Sequence, residues 1–283
     1  MPTEHRLDFR RTPQGWRVVR DRVDRSQLGF APWLLPGHDV HVSDDLVAVL
    51  DGGSAGQQDR FVRIAEDALR QVRADVPTDW SGHAVILAPS GTDTLRYEGL
   101  DPAEIGNLGG VAYPVRGPDQ QVTGRRIVIA PVMLTADDRS LSTVLRHELA
   151  HTALVDRDDP DDTEVPVWVR EGLAEYVAHL GDGIYYIDPD AVRAAEAGID
   201  QMPPDGLFHS GDWGPSYGVA WFSMLVIASR SGDPDEPFDL LEAIREEEPA
   251  DFREVSSLLE ERYGLTTDEL AAAAGELIDA TFD

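Results

Sequence analysis

The stretch Leu141-Ser-Thr-Val-Leu-Arg-His-Glu-Leu-Ala-His151 contains the pattern His-Glu-x-x-His. Its apolar residues recur at helical spacing and neither Gly nor Pro interrupts it, so it predicts an α-helix. Residues four apart lie on one face of a helix, which allows His147 and His151 to direct two imidazoles at one ion. Glu148, beside the first imidazole, can then act on a water at that ion without binding the ion itself. We therefore interpret this stretch as one half of a metal site.

A second stretch, Pro166-Val-Trp-Val-Arg-Glu-Gly-Leu-Ala-Glu-Tyr176, offers the other half. A zinc site that carries out hydrolysis needs three protein ligands and one open position. Glu171 and Glu175 are four residues apart, so on a helix they share a face. One of them can bind the metal while the other accepts a hydrogen bond from a ligand imidazole. The polar, turn-rich run at 156–164 lies between the two stretches, and it can bring the second helix back across the first.

Together the two stretches resemble the gluzincin metallopeptidases, which include thermolysin-like and aminopeptidase N-like enzymes and many small bacterial peptidase MA-like domains. The resemblance implies zinc as the cofactor, with His147, His151 and Glu171 as its ligands. It places Glu175 where thermolysin-like enzymes have an Asp that orients an imidazole. It also implies a zincin-like α+β fold, in which a small mixed β-sheet and the active-site helix form an N-terminal lobe and a helical C-terminal lobe follows.

The same resemblance implies roles in peptide hydrolysis. Glu148 would act as the general base, taking a proton from the attacking water and passing it to the leaving amine. The tetrahedral oxyanion needs a further donor, which related enzymes take from a Tyr or His of the C-terminal lobe. Tyr217, at the start of a strongly apolar run, matches that position best, and His209 is the second candidate. The alternative for Tyr217 is a packed tyrosine with a satisfied hydroxyl. His179, two turns beyond Glu171, is interpreted as a surface or packing residue.

An edge strand that could hold an extended substrate is predicted at Asn107–Tyr113. In zincins such a strand lies above the metal and pairs with the substrate backbone, which gives affinity with little sequence choice. The predicted substrate-binding residues are Gly109, Gly110, Val111 and Ala112. Aminopeptidase N-like enzymes hold a free amine with an acidic residue there, and this stretch has none. The sequence therefore favours an endopeptidase acting on peptides or proteins. The alternative is a non-catalytic or regulatory zinc-binding domain that keeps the fold.

The remaining patterns suggest the domain organisation. Residues 58–283 are predicted to form the metallopeptidase domain, with its helical and strand-like segments at 58–75, 83–88, 110–115, 126–131, 216–227, 238–247, 251–263 and 267–281. Residues 1–57 are predicted to form a β-hairpin followed by a linker with short strands. The two strands around Thr12-Pro-Gln-Gly15 look like the closing strands of an NTF2-like domain, which would make this chain the C-terminal part of a longer protein. A simple N-terminal hairpin laid on the main domain is the alternative.

The composition argues against several classes of function. The chain has 283 residues, of which 42% are hydrophobic, enough for a substantial core. Its formal net charge is -29, from 53 acidic residues and 24 basic ones, so we expect it to repel nucleic acid and anionic membranes. The absence of Cys excludes disulfides and thiol chemistry. We find no run long enough to span a membrane and no apolar signal core, and the compartment and oligomeric state stay open. His38 and His41 are interpreted as ordinary loop and strand histidines.

Overall fold

A computed structural model of the chain describes residues 5–12, 15–23, 37–97, 100–116, 122–155, 165–181, 193–194, 198, 201–208, 214–249 and 251–282. The protein is α+β, mostly helical with a small mixed sheet. It divides into two compact units, the first made of residues 1–67 and 82–145 and the second of residues 68–81 and 146–283. Within the described ranges, no helix combines the length and the apolar character needed to cross a membrane.

Two sheets lie in the described part of the first unit. Strands β1 (His5–Thr12) and β2 (Gly15–Val23) form an antiparallel hairpin. The second sheet has the order β3-β4-β5-β7-β6. Its strands are β3 (His38–Val42), β4 (Leu46–Asp51), β5 (Ala84–Pro89), β6 (Gly110–Arg116) and β7 (Val122–Ile129). The two inner pairs are parallel and the two outer pairs antiparallel, so β3 and β6 form the edges.

The helices that begin in or lie within this unit are α1 (Ala55–Asp75), α2 (Thr92–Tyr97), α3 (Pro102–Leu108) and α4 (Asp138–Ala153), and a 3-10 turn spans Pro131–Thr135. Apolar side chains from the sheet, α2 and α3 form a buried cluster of Val49, Leu87, Leu95, Ile105, Val128 and Ala130. Two polar contacts fix the start of α4, the helix that carries His-Glu-x-x-His. Asp137 accepts hydrogen bonds of 3.0 Å from the backbone N–H groups of Arg139 and Ser140. Arg60 on α1 donates to Asp138 over 2.6 Å.

The second unit contains the end of α4 and the helices α5 (Val167–His179), α6 (Gly214–Ser231), α7 (Glu236–Glu247), α8 (Phe252–Tyr263) and α9 (Thr267–Phe282). Most of α5 is apolar and buried, which is typical of a helix packed on several sides. Gly172 allows α5 to lie close to α6, because a Cβ there would be 2.6 Å from the carbonyl oxygen of Ala220. The first backbone N–H of α5, at Val167, donates to Asp205 over 3.0 Å.

Most of the predicted helices and strands are confirmed, with shifted ends. The strand predicted at 126–131 runs instead over Val122–Ile129, and Pro131 starts a 3-10 turn because proline has no N–H for a sheet ladder. The predicted edge strand starts too early. Asn107 belongs to α3, and Gly109 ends that helix with a φ of 78°, so β6 begins at Gly110. Residues 38–51, where we expected short strands within a linker segment, supply β3 and β4 to the five-stranded sheet. The domain boundary after residue 57 and the NTF2-like origin of the hairpin stay predictions.

Candidate metal centre

Helices α4 and α5 bring together the three side chains predicted as metal ligands. His147 and His151 lie one turn apart on α4, and their Nε2 atoms are 3.0 Å from each other. Oε2 of Glu171, on α5, is 3.3 Å from Nε2 of His147 and 3.2 Å from Nε2 of His151. In the part of the chain that the structure describes, no other group of three or more His, Cys, Asp or Glu residues is close enough to hold one ion.

The donor set and its spacing fit a zinc ion. Imidazole nitrogen and carboxylate oxygen bind zinc at about 2.0–2.2 Å, which in a tetrahedron separates neighbouring ligand atoms by about 3.3–3.6 Å. The three observed separations are 3.0–3.3 Å, so only a few tenths of an ångström of movement would seat an ion. The side chains of His147, Glu171 and His151 keep 13%, 13% and 19% of their surface exposed. Solvent can therefore reach the cluster, as an open fourth position requires.

Glu175 lies behind His147 and is not one of the three clustered donors. Its Oε1 is 3.0 Å from Nδ1 of His147, the ring nitrogen that points away from Glu171 and His151. A carboxylate in this place accepts a hydrogen bond from Nδ1–H, and in the neutral ring this leaves the Nε2 lone pair free for an ion. A buried carboxylate is costly without a partner, and on the mostly apolar α5 both Glu171 and Glu175 have histidine side chains as partners.

The electrostatics of the cluster favour positive charge between the carboxylates. Burial opposes the charged form of His147, yet the carboxylates of Glu175 and Glu171 raise the pKa of its imidazole well above the usual value. Burial likewise opposes the charge on Glu171, but the imidazoles of His151 and His147 hold its pKa well below the usual range. Burial opposes the charge on Glu175 as well, but the imidazoles of His147 and His179 lower its pKa to about 2. Both carboxylates are therefore ionised at neutral pH, facing the imidazoles.

Two further predicted residues lie at the cluster. Glu148 follows His147 on α4 and is 4% exposed, and its charge raises the pKa values of His147 and Tyr217. Tyr217, on α6, is 8% exposed, and its ring centre is 6.1 Å from that of His147. Burial, then the charges of Glu171 and other carboxylates, raise the pKa of Tyr217 well above 10, so the phenol keeps its proton at neutral pH. Its hydroxyl donates a hydrogen bond to Glu171. His209 lies outside the described residues.

The sequence did not predict that Arg146 is buried at this site. Arg146, beside His147, is 3% exposed, and its guanidinium donates to the carbonyl oxygens of Val177 (2.6 Å) and Leu180 (2.7 Å) at the end of α5. Arg146 therefore joins the two ligand-bearing helices. No sequence signal predicts this burial of Arg146, because arginine is mostly exposed in proteins.

His179 is a buried packing residue with a polar partner. Its side chain is 6% exposed, and Nε2 lies 3.3 Å from Oε2 of Glu175. Its ring stacks on Trp221 with 4.1 Å between the ring centres. Glu171, Glu175 and His179 follow one another at four-residue intervals, and this spacing is the sequence signal from which the contact of His179 with Glu175 could have been predicted.

The remaining candidates lie apart from this cluster in the chain. Gly110, Val111 and Ala112 belong to β6, at the edge of the five-stranded sheet, and their role in holding substrate stays a prediction. His38 is 3.7 Å from Asp51, and His41 has an acidic neighbour on α1. Among the described residues neither histidine joins a group of three possible ligands.

The sequence gives no match to a family model, and no curated protein matches it. What the site can do chemically follows from its residues. Two imidazoles and one carboxylate can hold a zinc ion, a buried carboxylate stands next to the first imidazole, and a protonated phenol lies at the same cluster. A site of this kind can bind a carbonyl group, remove a proton from water and stabilise a developing negative charge.

Proposed function

We propose that this chain is a zinc-dependent peptidase of the gluzincin type, and that it cleaves internal peptide bonds. The observation that carries the proposal is the group of three donor atoms, from His147, His151 and Glu171, within 3.0–3.3 Å of one another on two helices. Chance seldom places three metal-binding side chains at the spacing of a tetrahedral site and a fourth residue, Glu148, in the position of a general base.

The residues that would hold zinc are His147, His151 and Glu171, with Glu175 fixing the ring of His147. Zinc so held would supply Lewis acidity, which polarises the scissile carbonyl and lets a water lose its proton near neutral pH. The side chains that remain partly exposed leave room for water and substrate to enter. Zinc is the preferred ion because a site of two imidazoles and one carboxylate with an open position is typical of hydrolytic zinc enzymes.

Glu148 would move the proton. It takes a proton from the attacking water and delivers it to the leaving amine, and burial of this carboxylate keeps bulk water from competing for that proton. Tyr217 would then donate its hydrogen bond to the negative oxygen that develops on the substrate carbonyl. A phenol can do this only while protonated, and the raised pKa of Tyr217 keeps it so.

The fold in this proposal is zincin-like, and the substrate is an extended peptide that pairs with the edge strand β6. The outer edge of a strand can offer backbone N–H and C=O groups, which bind a peptide backbone with little dependence on its side chains. The predicted contacts lie at Gly110, Val111 and Ala112. The strand carries no acidic residue that would hold a free amino terminus, and this favours an endopeptidase over an aminopeptidase.

The test is cleavage of a broad peptide library by the zinc-loaded protein, with and without a chelator. We expect cleavage that a chelator abolishes and zinc restores. Glu148→Gln should keep zinc but lose roughly 10²–10⁴-fold in turnover, because the amide cannot accept the proton. The matched control is Glu260→Gln, an exposed carboxylate on α8, which should cleave like the wild type.

Two outcomes would count against this mechanism. A wild-type protein that binds zinc fully and cleaves no peptide would favour a non-catalytic or regulatory zinc-binding domain with the same fold. Cleavage by Glu148→Gln at the wild-type rate would show that Glu148 is not the base.

A further inference from the structure

The carboxylate of Glu175 lies between two imidazoles and uses a different oxygen for each. Oε1 is 3.0 Å from Nδ1 of His147, and Oε2 is 3.3 Å from Nε2 of His179. His179 is on the same helix, one turn after Glu175, so the two share a face of α5. The three side chains therefore form a continuous row, His179–Glu175–His147, that ends at the cluster of possible metal ligands.

The ring of His179 has little freedom to leave this row. Its side chain is 6% exposed, and Trp221 on α6 covers one face of the ring, with ring centres 4.1 Å apart and an angle of 22° between the planes. Trp221 is itself 7% exposed. The stacking fixes the plane of the imidazole, and Oε2 of Glu175 is the acidic atom that faces its Nε2, at 3.3 Å.

We infer that His179 is a positioning residue for the metal site, acting through Glu175. By donating from Nε2 to one carboxylate oxygen, His179 holds the other oxygen where it accepts a hydrogen bond from the Nδ1–H group of His147. That hydrogen bond selects the His147 tautomer whose Nε2 lone pair is available to an ion. The inference rests on the proposed zinc site, and it adds His179 and the stacked Trp221 to the residues that shape it.

Removing the N–H donor of His179 frees Glu175 to rotate, so His147 loses part of its orientation. Loss of a direct partner of a ligand histidine typically costs roughly 10–100-fold in metal affinity. His179 acts one step further away, and we expect a loss on the order of 3–10-fold. Because the effect passes through Glu175, it should vanish when Glu175 is already Ala.

The experiment compares zinc dissociation constants, measured by competition with a chromophoric chelator, for the wild type and three variants. His179→Phe keeps a ring to stack on Trp221 but has no donor, and it should bind zinc about 3–10-fold more weakly. His179→Gln keeps an N–H donor near the position of Nε2 and should bind like the wild type. His38→Phe is the matched control, the same change at a histidine whose side chain is also buried, 8% exposed, in the first unit, and it should leave zinc affinity unchanged.

A second measurement separates failure of this inference from failure of the zinc proposal. Nitrogen-15 NMR of the metal-free protein reports the hydrogen bonding of the Nδ1–H group of His147, which is present both in the protonated ring and in the neutral Nδ1–H tautomer. The Nδ1–H signal of His147 should change in His179→Phe and stay as in the wild type in His38→Phe, whether or not zinc binds. An unchanged His147 signal, or equal zinc affinity in His179→Phe and wild type, would overturn the role of His179. A wild type that binds no zinc while the His147 signal still responds would overturn the zinc site alone.

A purely structural role for His179 predicts a different pattern. In that case His179→Phe and His179→Gln would lower the thermal stability of the metal-free protein together, and zinc affinity would follow stability in both. The positioning role predicts that the two variants differ in zinc affinity and in the His147 signal even where their thermal stability is the same. It also predicts that adding His179→Phe to Glu175→Ala changes zinc affinity no further.

Discussion

Gly172, directly after Glu171, lies where α5 packs closely on α6. A Cβ at Gly172 would lie 2.6 Å from the carbonyl oxygen of Ala220 and 3.1 Å from Cε of Met224. Ordinary contact begins near 3.4 Å, so Gly172→Ala requires the helices to separate by about 0.8 Å. Met224 can rotate away, but the carbonyl of Ala220 is backbone, and only a movement of a whole helix relieves that clash.

Two effects of Gly172→Ala oppose each other, and their sizes decide the sign. Alanine favours a helix interior over glycine by about 1 kcal/mol. Overpacking a filled interface costs about 1–3 kcal/mol. We therefore expect a net loss of up to about 2 kcal/mol in the free energy of unfolding. The displacement also exceeds the roughly 0.5 Å within which a functional site holds its geometry, and it moves Glu171, so zinc affinity should fall by about tenfold.

The assay is urea unfolding of the metal-free protein together with zinc competition titration. Gly56→Ala is the matched control, because Gly56 lies in α1 and nothing is within 4 Å of its Cβ. It should leave zinc affinity unchanged and not lower stability. If Gly172→Ala is as stable as the wild type and binds zinc equally well, the close packing of α5 on α6 and its role in placing Glu171 are wrong.

Three further changes test other contacts of the site. Arg146→Met leaves the buried carbonyl of Val177 and the partly buried carbonyl of Leu180 without their charged donor, and it should cost about 3–5 kcal/mol in urea unfolding. The exposed Arg96→Met should cost at most about 0.5 kcal/mol, and equal small losses would contradict the buried contact. Glu175→Ala should weaken zinc binding roughly 10–100-fold in chelator competition, and wild-type affinity would show that His147 needs no such partner. Tyr217→Phe should lower kcat on the order of 10²–10³-fold with little change in KM; an unchanged kcat would remove the hydroxyl from the mechanism.

The helices of the site could be predicted because their signal is local. Leu141, Leu145 and Leu149 recur at helical spacing and are all fully buried in α4. The His-Glu-x-x-His spacing then places two imidazoles together from backbone geometry alone. The helix α3 was missed because seven residues are too few to show a periodicity, although Asp101 caps its start and Gly109 ends it.

Contacts that depend on tertiary structure could not be predicted in this way. The burial of His179 depends on Trp221, which comes from a different helix, and nothing in the sequence of α5 announces that partner. Arg146 is buried because it meets the carbonyls at the end of α5, whereas its residue type alone favours exposure. The approach of α5 to α6 at Gly172 likewise appears only when the two helices are packed.

Zinc coordination by His147, His151 and Glu171 is tested most directly by X-ray absorption spectroscopy at the zinc edge on quantitatively metal-loaded protein. We expect about one zinc per chain, bound by two imidazoles and by oxygen ligands at about 2.0–2.2 Å. His147→Ala should abolish this spectrum, and His83→Ala, at a histidine whose side chain is 62% exposed, should leave it unchanged. A wild type that takes up no zinc on titration, or a zinc spectrum that is the same in His147→Ala, would contradict the site.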